Sequence, residues 1–412
     1  MAKKLSSVVG IDIGSQQIKV AEIKIQGREP AINALGIWPT PAGAADHTGV
    51  YDPDSVADAV KQVCASVGAS SPAAIISIAG QASVLVRTLE VAKMSTDELK
   101  DHMSWEISRN IPFAESTVQS DYAVYPSSDA ASQNMDVVMA ISPQSAVDTL
   151  ISIGQKSGKK LAAIDVEPLG LLRSMTVSYG EIGADTTCLV DVGHNTTSIN
   201  IIKNGELVMP RQLPIGGVHF TKAIADNLGI SEEDAEELKN TKANVPSTAG
   251  QAPVGGDFFA PTSNFEAFNP YGTPTPPAAD PTMAMSADAP SPEPEVSEPV
   301  AAMAPVPSSD SESIRIYNAM AGVLDEFLSE IRRSIDYYKS KGGDVHSIYL
   351  CGGGSKMPGL PEFLNRMIGV PTERFDPLRG LNITAKRLDH GVLENHRQEF
   401  AVAIGNALHI LF

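Results

Sequence analysis

The sequence predicts an α/β fold of two related lobes, and three observations carry that expectation. Strand-like and helix-like segments alternate along the 340 residues that remain of 412 once the 72 of Ala243 to Ile314 are set aside. A strand–turn–strand unit containing Asp-x-Gly occurs twice, at Asp12 and again at Asp191. The stretch Ala243 to Ile314 interrupts the pattern with 14 of the chain's 29 prolines, nine acidic residues and no Lys or Arg. Such a composition buries too little apolar surface to offset its ordering entropy, so it reads as a disordered acidic insertion.

The elements follow in order. Val8 to Ile13 and Ile18 to Ile25 are β-branched runs on either side of a Gly-Ser-Gln-Gln turn. Ser55 to Gly68 has helical periodicity (Val56, Ala59, Val60, Val63, Val67) and stops at glycine. Ala74 to Ala79 is a buried-strand run. Ser95 opens a helix with Glu98 at capping-box spacing; it runs to Asn110, where Ile111-Pro112 stops it. Val137 to Ile141 reads as a strand and Ser145 to Gly158 as a helix. Leu189 to Val192 and Ile199 to Ile202 are paired strands. Val323 to Tyr338 is helical, and Ile348 to Cys351 is a strand running into three glycines. Phe400 to Phe412 reads as a buried terminal helix. The insertion would span about 45 Å as a flexible chain; replacing a short turn with it costs only about 2 kcal/mol, so a folded lobe can host it. Its aromatic patch, Phe258 to Tyr271, is a candidate docking motif.

Composition excludes some functions. The net charge is −18, from 49 acidic against 31 basic residues. That opposes nucleic-acid binding, which wants a basic face, and direct binding to anionic membranes. Cys64, Cys188 and Cys351 match no metal or redox spacing and read as reduced, half-buried residues. His102, His219 and His346 have no paired spacing and receive no metal role. The N-terminus, Met1-Ala2-Lys3-Lys4, leads straight into a strand with no signal-like apolar stretch. Nothing approaches the 18 or so apolar residues of a membrane span.

The repeated unit points to phosphate chemistry. In each copy a hydrophobic strand ends in Asp-x-Gly, a polar turn follows, and a second strand returns to a glycine turn, at Gly27 and Gly205. Glycine lets backbone N–H groups approach an anion. Ser15, Thr196 and Thr197 add hydroxyl donors. Asp12 and Asp191, at the strand ends, can hold Mg²⁺ through its waters. Gly352-Gly353-Gly354, costly in folding entropy, make sense where a flat or anionic ligand lies against the backbone. Glu330, Arg333 and Ser334 share one stripe of the preceding helix.

Together these pieces resemble the actin-like ATPase superfamily. Asp12 to Lys19 is similar to its phosphate-1 loop, Asp191 to Thr197 to phosphate-2, and Gly352 to Gly354 to the adenosine loop. Val166-Glu167-Pro168-Leu169-Gly170 resembles the helix connecting the lobes. Within the superfamily the chain resembles the PilM family of type IV pilus assembly. Leu99 to Phe113, Leu213 to Glu237, and Gly352 to Leu360 with Gly369-Val370-Pro371, Asp376-Pro377 and the closing Phe400 to Gly405 carry that likeness.

The resemblance implies ATP and Mg²⁺ as cofactors, with slow or absent hydrolysis. It implies nucleotide-binding roles for Asp12, Gly14, Ser15, Gln16, Gln17, Lys19, Asp191, Gly193, Thr196, Thr197, Gly216, Gly217, Gly352, Gly353, Gly354 and Met357. Glu330, Arg333 and Ser334 would embrace the adenosine, and Glu167 would orient the attacking water. Gln16-Gln17 and His194-Asn195 depart from the family's usual small or hydroxyl residues. It also implies a cytoplasmic adaptor, peripheral at the inner membrane through a partner. It would bind the N-terminal cytoplasmic tail of a PilN-like protein in a groove near Trp105, Ile111, Pro112 and Phe113, communicate with the pilus motor ATPases, and self-associate. The implied subdomains are 1A (1–79, 159–185, 393–412), an inserted 1C (80–158), and 2A with a reduced 2B (186–242, 315–392). An FtsA-like division protein binding FtsZ, a sugar or acetate kinase, and a nucleotide-free scaffold are the alternatives; FtsA would be expected to carry an amphipathic membrane helix, which this chain does not show.

Overall fold

The computed structural model describes residues 5–115, 117–125, 132–180, 185–243, 245 and 308–412, with backbone alone for 308–311. Most of the acidic insertion, including the aromatic patch Phe258 to Tyr271, lies outside these residues. Its two edges correct the sequence reading. Ala243 and Val245 are buried, and the Val245 N–H donates to the Pro358 carbonyl. At the other edge Ile314 lies within a helix, and Ile316 just beyond it is buried. Ordered chain therefore reaches into the expected insertion, because Ala243, Val245 and Ile316 enter the core of the second lobe.

The first lobe opens with the meander β1 (Ser7–Ile13), β2 (Gln17–Gln26) and β3 (Glu29–Pro39). Helix α1 (Pro53–Val67) follows, capped by the Asp52 carboxylate and ended by Gly68 at φ 75°. Its buried stripe, Val56, Val60 and Val63, lies on the sheet. Strand β4 (Ala73–Ile78) then pairs in parallel with β1.

A small unit comes next: β5 (Leu85–Ala92), α2 (Thr96–Arg109), β6 (Val118–Val124) and β7 (Asn134–Pro143). Its sheet runs β5-β7-β6, and Leu99, Met103, Val137 and Met139 form its own core. The Ser95–Glu98 capping box starts α2 as expected. Two bonds tie this unit to the other lobe: the Thr88 hydroxyl donates to the Val208 carbonyl (2.7 Å), and the Leu207 N–H donates to the Tyr125 hydroxyl (3.3 Å). Helix α3 (Gln144–Lys156) packs elsewhere, burying Leu150 and Ile153 in the first-lobe core. The span 80–158 thus holds both the small sheet and a helix of the first lobe.

Strand β8 (Lys160–Val166) completes the first sheet beside β4, and α4 (Glu167–Tyr179) crosses to the second lobe. There β9 (Thr187–Val192), β10 (Thr197–Lys203) and β11 (Glu206–Leu213) repeat the meander. Helices α5 (Gly217–Leu228), α6 (Glu232–Thr241) and α7 (Ser308–Ser340) follow, then β12 (Ser347–Cys351), α8 (Leu360–Ile368) and β13 (Thr372–Arg374). The second sheet runs β11-β10-β9-β12-β13. The first runs β14-β3-β2-β1-β4-β8, where β14 (Asn382–Ile383) is an added edge. Without β14 the two orders are the same: a three-stranded meander, then two strands parallel to its first. The internal repeat seen in the sequence is a repeat of topology.

The chain then passes through α9 (His390–His396) and a 3₁₀ turn, and closes on the first lobe with α10 (Ala401–Leu408). Asn406 Nδ2 donates to the Ile11 carbonyl (2.9 Å) and to Ser77 Oγ (3.0 Å). The buried helix is shorter than expected, since Leu411 and Phe412 are exposed. The three cysteines are fully buried rather than half-buried. No helix among the described residues is long and apolar enough to cross a membrane.

Candidate functional site

The two meanders bring their first hairpin turns to face each other across a cleft of ≈ 780 Å³ between the lobes, a volume in the range of small-ligand sites. Each turn is closed by the same bond. Gly14 N–H donates to the Gln17 carbonyl (3.1 Å), and Gly193 N–H donates to the Thr196 carbonyl (2.9 Å). In both, the glycine sits two residues after the strand-end aspartate. Thr40 braces the first turn by donating through its hydroxyl to the Gly14 carbonyl (2.6 Å). The second turn rests on the N-terminus of α5, where the Gly217 and Val218 N–H groups donate to the Gly193 and His194 carbonyls.

Charge gathers at the base of this cleft. Lys19 lies directly opposite Asp12 in the β1–β2 register, and its ammonium donates to Asp12 Oδ2 at 3.1 Å. Burial on its own would lower the Lys19 ammonium; the Asp12 and Glu399 carboxylates outweigh it and raise its pKa. Asp191 is pushed up, first by burial and then by the negative charge of Asp12. Glu167, the first residue of α4, is pushed up by burial and by Asp191 and Asp12. These three carboxyls line one cleft and disfavour one another's ionisation, which a cation entering the cleft would relieve.

Gly352 adds a third wall. It holds φ 78° at the end of β12, and a Cβ there would lie 2.1 Å from Asp191 Oδ1. Gly353 and Gly354 also line the cleft. Behind them Lys356 Nζ lies 2.8 Å from Glu399 Oε1, and the His396 ring lies 2.8 Å from the same oxygen. Burial on its own would raise the Glu399 carboxyl, but the His396 hydrogen bond and the Lys356 ammonium overcome it and hold it at about 2.

The sign of this effect sets a prediction. A depressed carboxyl stabilises the fold above its ordinary pKa of about 4.3, and that contribution disappears as pH falls toward the depressed value. Glu399→Gln is expected to cost about 2 kcal/mol near neutrality and less below about pH 3. Urea unfolding of parent and variant across that range checks it; a difference that stays constant down to the acid limit would remove Glu399 from this role.

The structure brings most of the expected residues together: Asp12, Gly14, Ser15, Gln16, Gln17, Lys19, Glu167, Asp191, Gly193, Thr196, Gly217 and Gly352 to Gly354 all line the cleft. Others lie away from it. Thr197 is buried and donates to the Ile215 carbonyl (2.7 Å), because alternation along β10 turns it inward next to the outward Thr196. Gly216 packs under the second turn, where a Cβ would lie 2.5 Å from the His194 carbonyl oxygen. Met357 is buried in the second-lobe core.

Glu330, Arg333 and Ser334 are also displaced. Arg211 on β11 engages the Glu330 carboxylate and donates to Ser334 Oγ (2.8 Å), while Arg333 pairs with Glu330 on the outside. None of the three lines the cleft. Helix α6 supplies the acid and base there instead. Lys239 Nζ donates to the Gly217 carbonyl (3.1 Å), Thr221 Oγ1 (2.8 Å) and Glu236 Oε2 (2.6 Å), and Asn240 stands one residue further along. Burial lowers the Lys239 ammonium and Glu236 partly restores it. Lys356, Glu399, Ser198, Glu236 and Lys239 were not singled out from the sequence. For the last two a signal existed, a lysine closing the acidic run Glu232 to Glu237.

The residues expected at the partner groove lie on α2 and the segment after it, at differing exposure. Trp105 is 55% exposed, with the Arg109 guanidinium 4.6 Å from its ring centroid. Ile111 and Phe113 pack against the core of the small unit, and Pro112 is exposed. Trp105 and Pro112 are exposed, and Ile111 and Phe113 are partly buried against their own subdomain.

Comparison with known proteins places this geometry. The family model described as "Type IV pilus assembly protein PilM" matches residues 10–250, more than half of the chain, and that described as "Cell division protein FtsA" matches residues 188–405. The chain is 32% identical over 90 residues to the cell division protein FtsA of Bacillus subtilis (strain 168), covering 22% of this chain and 20% of that protein. It is 35% identical over 89 residues to FtsA of Porphyromonas gingivalis (strain ATCC BAA-308 / W83), covering 22% and 18%. These matches span about a fifth of the curated relatives' length. The solved structure of the PilM-PilN type IV pilus biogenesis complex is similar over 100% of both chains, with a TM-score of 0.74 at 24% identity, a likeness of fold. The actin-like architecture and the family match agree, and the chain belongs to the type IV pilus assembly protein PilM family.

Proposed function

We propose that this protein is a nucleotide-binding adaptor of the type IV pilus machine, which takes up Mg·ATP between its lobes and docks a short tail of a PilN-like inner-membrane protein. The observation that carries the nucleotide reading is the pair of matched turns, each following a strand-end aspartate, facing each other across one cleft. The residues present fit the cofactor. Backbone N–H groups and hydroxyls of Ser15 and Thr196 suit phosphate oxygens. Among the described residues no three His, Cys, Asp or Glu side chains stand close enough to ligate a metal directly. Asp12 and Asp191 would therefore hold Mg²⁺ through its waters. Bound Mg²⁺ supplies positive charge between the phosphates and the carboxylates. Glu236, Lys239 and Asn240 are the adenosine-side candidates, in place of Glu330, Arg333 and Ser334. Glu167 is the candidate for orienting water, since neutralising Asp12 and Asp191 would favour its ionised form.

Asp191→Ala is expected to weaken Mg·ATP binding about tenfold, or about 1.4 kcal/mol. Isothermal titration checks it, and unchanged affinity would refute the role given to Asp191.

The adaptor reading rests on membership of the PilM family, one of whose fold relatives was solved in complex with PilN. It places the protein in the cytoplasm, at the inner membrane through its partner, in contact with the motor ATPases and with further copies of itself. The small β5-β7-β6 unit with α2 corresponds to subdomain 1C, with α3 assigned to 1A. Titration against the PilN-like N-terminal tail and the FtsZ C-terminal tail decides the partner. Micromolar binding of the first alone is expected; binding of the second alone would move the protein to cell division.

A further inference from the structure

The two turns are joined to each other by side chains. Ser15 Oγ donates to Asn195 Oδ1 at 2.9 Å, and Gln16 Nε2 lies 3.0 Å from His194 Nε2. Each bond links residues about 180 positions apart in sequence, one on each lobe. The four residues line the cleft, and three of them, Gln16, His194 and Asn195, belong to the departures noted in the sequence. We propose that these two bonds form a clasp that holds the lobes together without nucleotide, and that a phosphate entering between the turns must take over the clasp's donors.

Three physical features support the clasp. The turns are internally locked by the Gly14–Gln17 and Gly193–Thr196 bonds, so their tips are presented in fixed positions. The Lys19 ammonium, bound to Asp12 on one lobe, also attracts Asp191 on the other, so charge at the base of the cleft holds the two turns within reach of each other. Burial, and after it the Lys239 charge, lowers the pKa of the His194 imidazole, which favours the neutral ring whose bare nitrogen can accept from the Gln16 amide.

Takeover by phosphate follows from hydrogen-bond inventory. A phosphate oxygen accepts and cannot donate. The Ser15 hydroxyl and the Gln16 amide can turn toward it, and the Asn195 amide nitrogen and the second His194 nitrogen can join them. The clasp itself stands apart from the nucleotide reading; only its release by phosphate rests on it.

Spin labels on Lys61→Cys in α1 and Asp226→Cys in α5 report the distance between the lobes, and the three native cysteines are buried from the reagent. Without nucleotide, the parent is expected to give one narrow distance distribution. The double variant Gln16→Ala/Asn195→Ala should broaden it outward, raising the open fraction about tenfold. A distribution that matches the parent's would overturn the clasp. Asn195→Asp keeps an oxygen that accepts from Ser15 but repels phosphate. It should retain the narrow distribution while Mg·ATP affinity falls about tenfold. Unchanged affinity in that variant would overturn the takeover by phosphate. A parent that binds no Mg·ATP would overturn the nucleotide reading and, with it, the takeover, while the nucleotide-free distances still decide the clasp.

Discussion

Gly352→Ala is expected to weaken Mg·ATP binding by tenfold or more and to lower the melting temperature. The residue holds φ 78° and ψ 169°, a region essentially reserved for glycine that costs an L side chain about 1–3 kcal/mol. The added methyl would also meet Asp191 Oδ1 at 2.1 Å and the Val192 carbonyl oxygen at 2.6 Å. Relief has to come from moving Asp191, the carboxylate assigned to the hydrated Mg²⁺. Gly353→Ala separates strain from crowding, because it adds a methyl to the same cleft wall at an ordinary 3.6 Å from the Glu399 carboxylate, without displacing Asp191. Isothermal titration of both variants tests the assignment. Equal affinity for parent, Gly352→Ala and Gly353→Ala would mean that the Asp191 wall does not touch the nucleotide.

Gly405→Ala is expected to destabilise the fold by about 3 kcal/mol or more. Helices α4 and α10 cross so closely that a Cβ on Gly405 would lie 1.8 Å from the Gly170 carbonyl oxygen. Backbone cannot step aside as a side chain can. The helices would separate and pull Ala403 and Ala407 of α10 away from the first-lobe sheet, which also loses the Asn406 bond to the Ile11 carbonyl. Since β1 carries Asp12, the nucleotide site should loosen with the fold. Thermal melts and urea titrations read the loss directly, and a melting temperature within about a degree of the parent's would show that the crossing is not held as tightly as this.

Local signals in the sequence map onto local structure. The Ser95–Glu98 box starts α2, Gly68 ends α1 in the left-handed conformation, and the β-branched runs at Val8 and Leu189 are strands. Each depends on neighbours within a few residues, so it can be read without knowing the fold. The strands β5 and β6 gave little signal because they are largely half-buried or exposed and lack clean alternation. Helix α7 was visible, but it extends fifteen residues upstream of where its apolar stripe was read.

The sequence by itself determined the duplicated Asp-x-Gly turns, the three-glycine wall and the acidic interruption, because glycine conformations, strand runs and disorder-prone composition are written locally. Only the tertiary structure decided which helix presents an acid and a base to the cleft. Glu330, Arg333 and Ser334 have the right spacing, yet Arg211 on a neighbouring strand claims Glu330 and Ser334, and Glu236 and Lys239 of α6 face the cleft instead. It also decided that Gln16 meets His194 and Ser15 meets Asn195. Spacing along a chain says which side chains share a face; only packing between distant segments says what that face looks at.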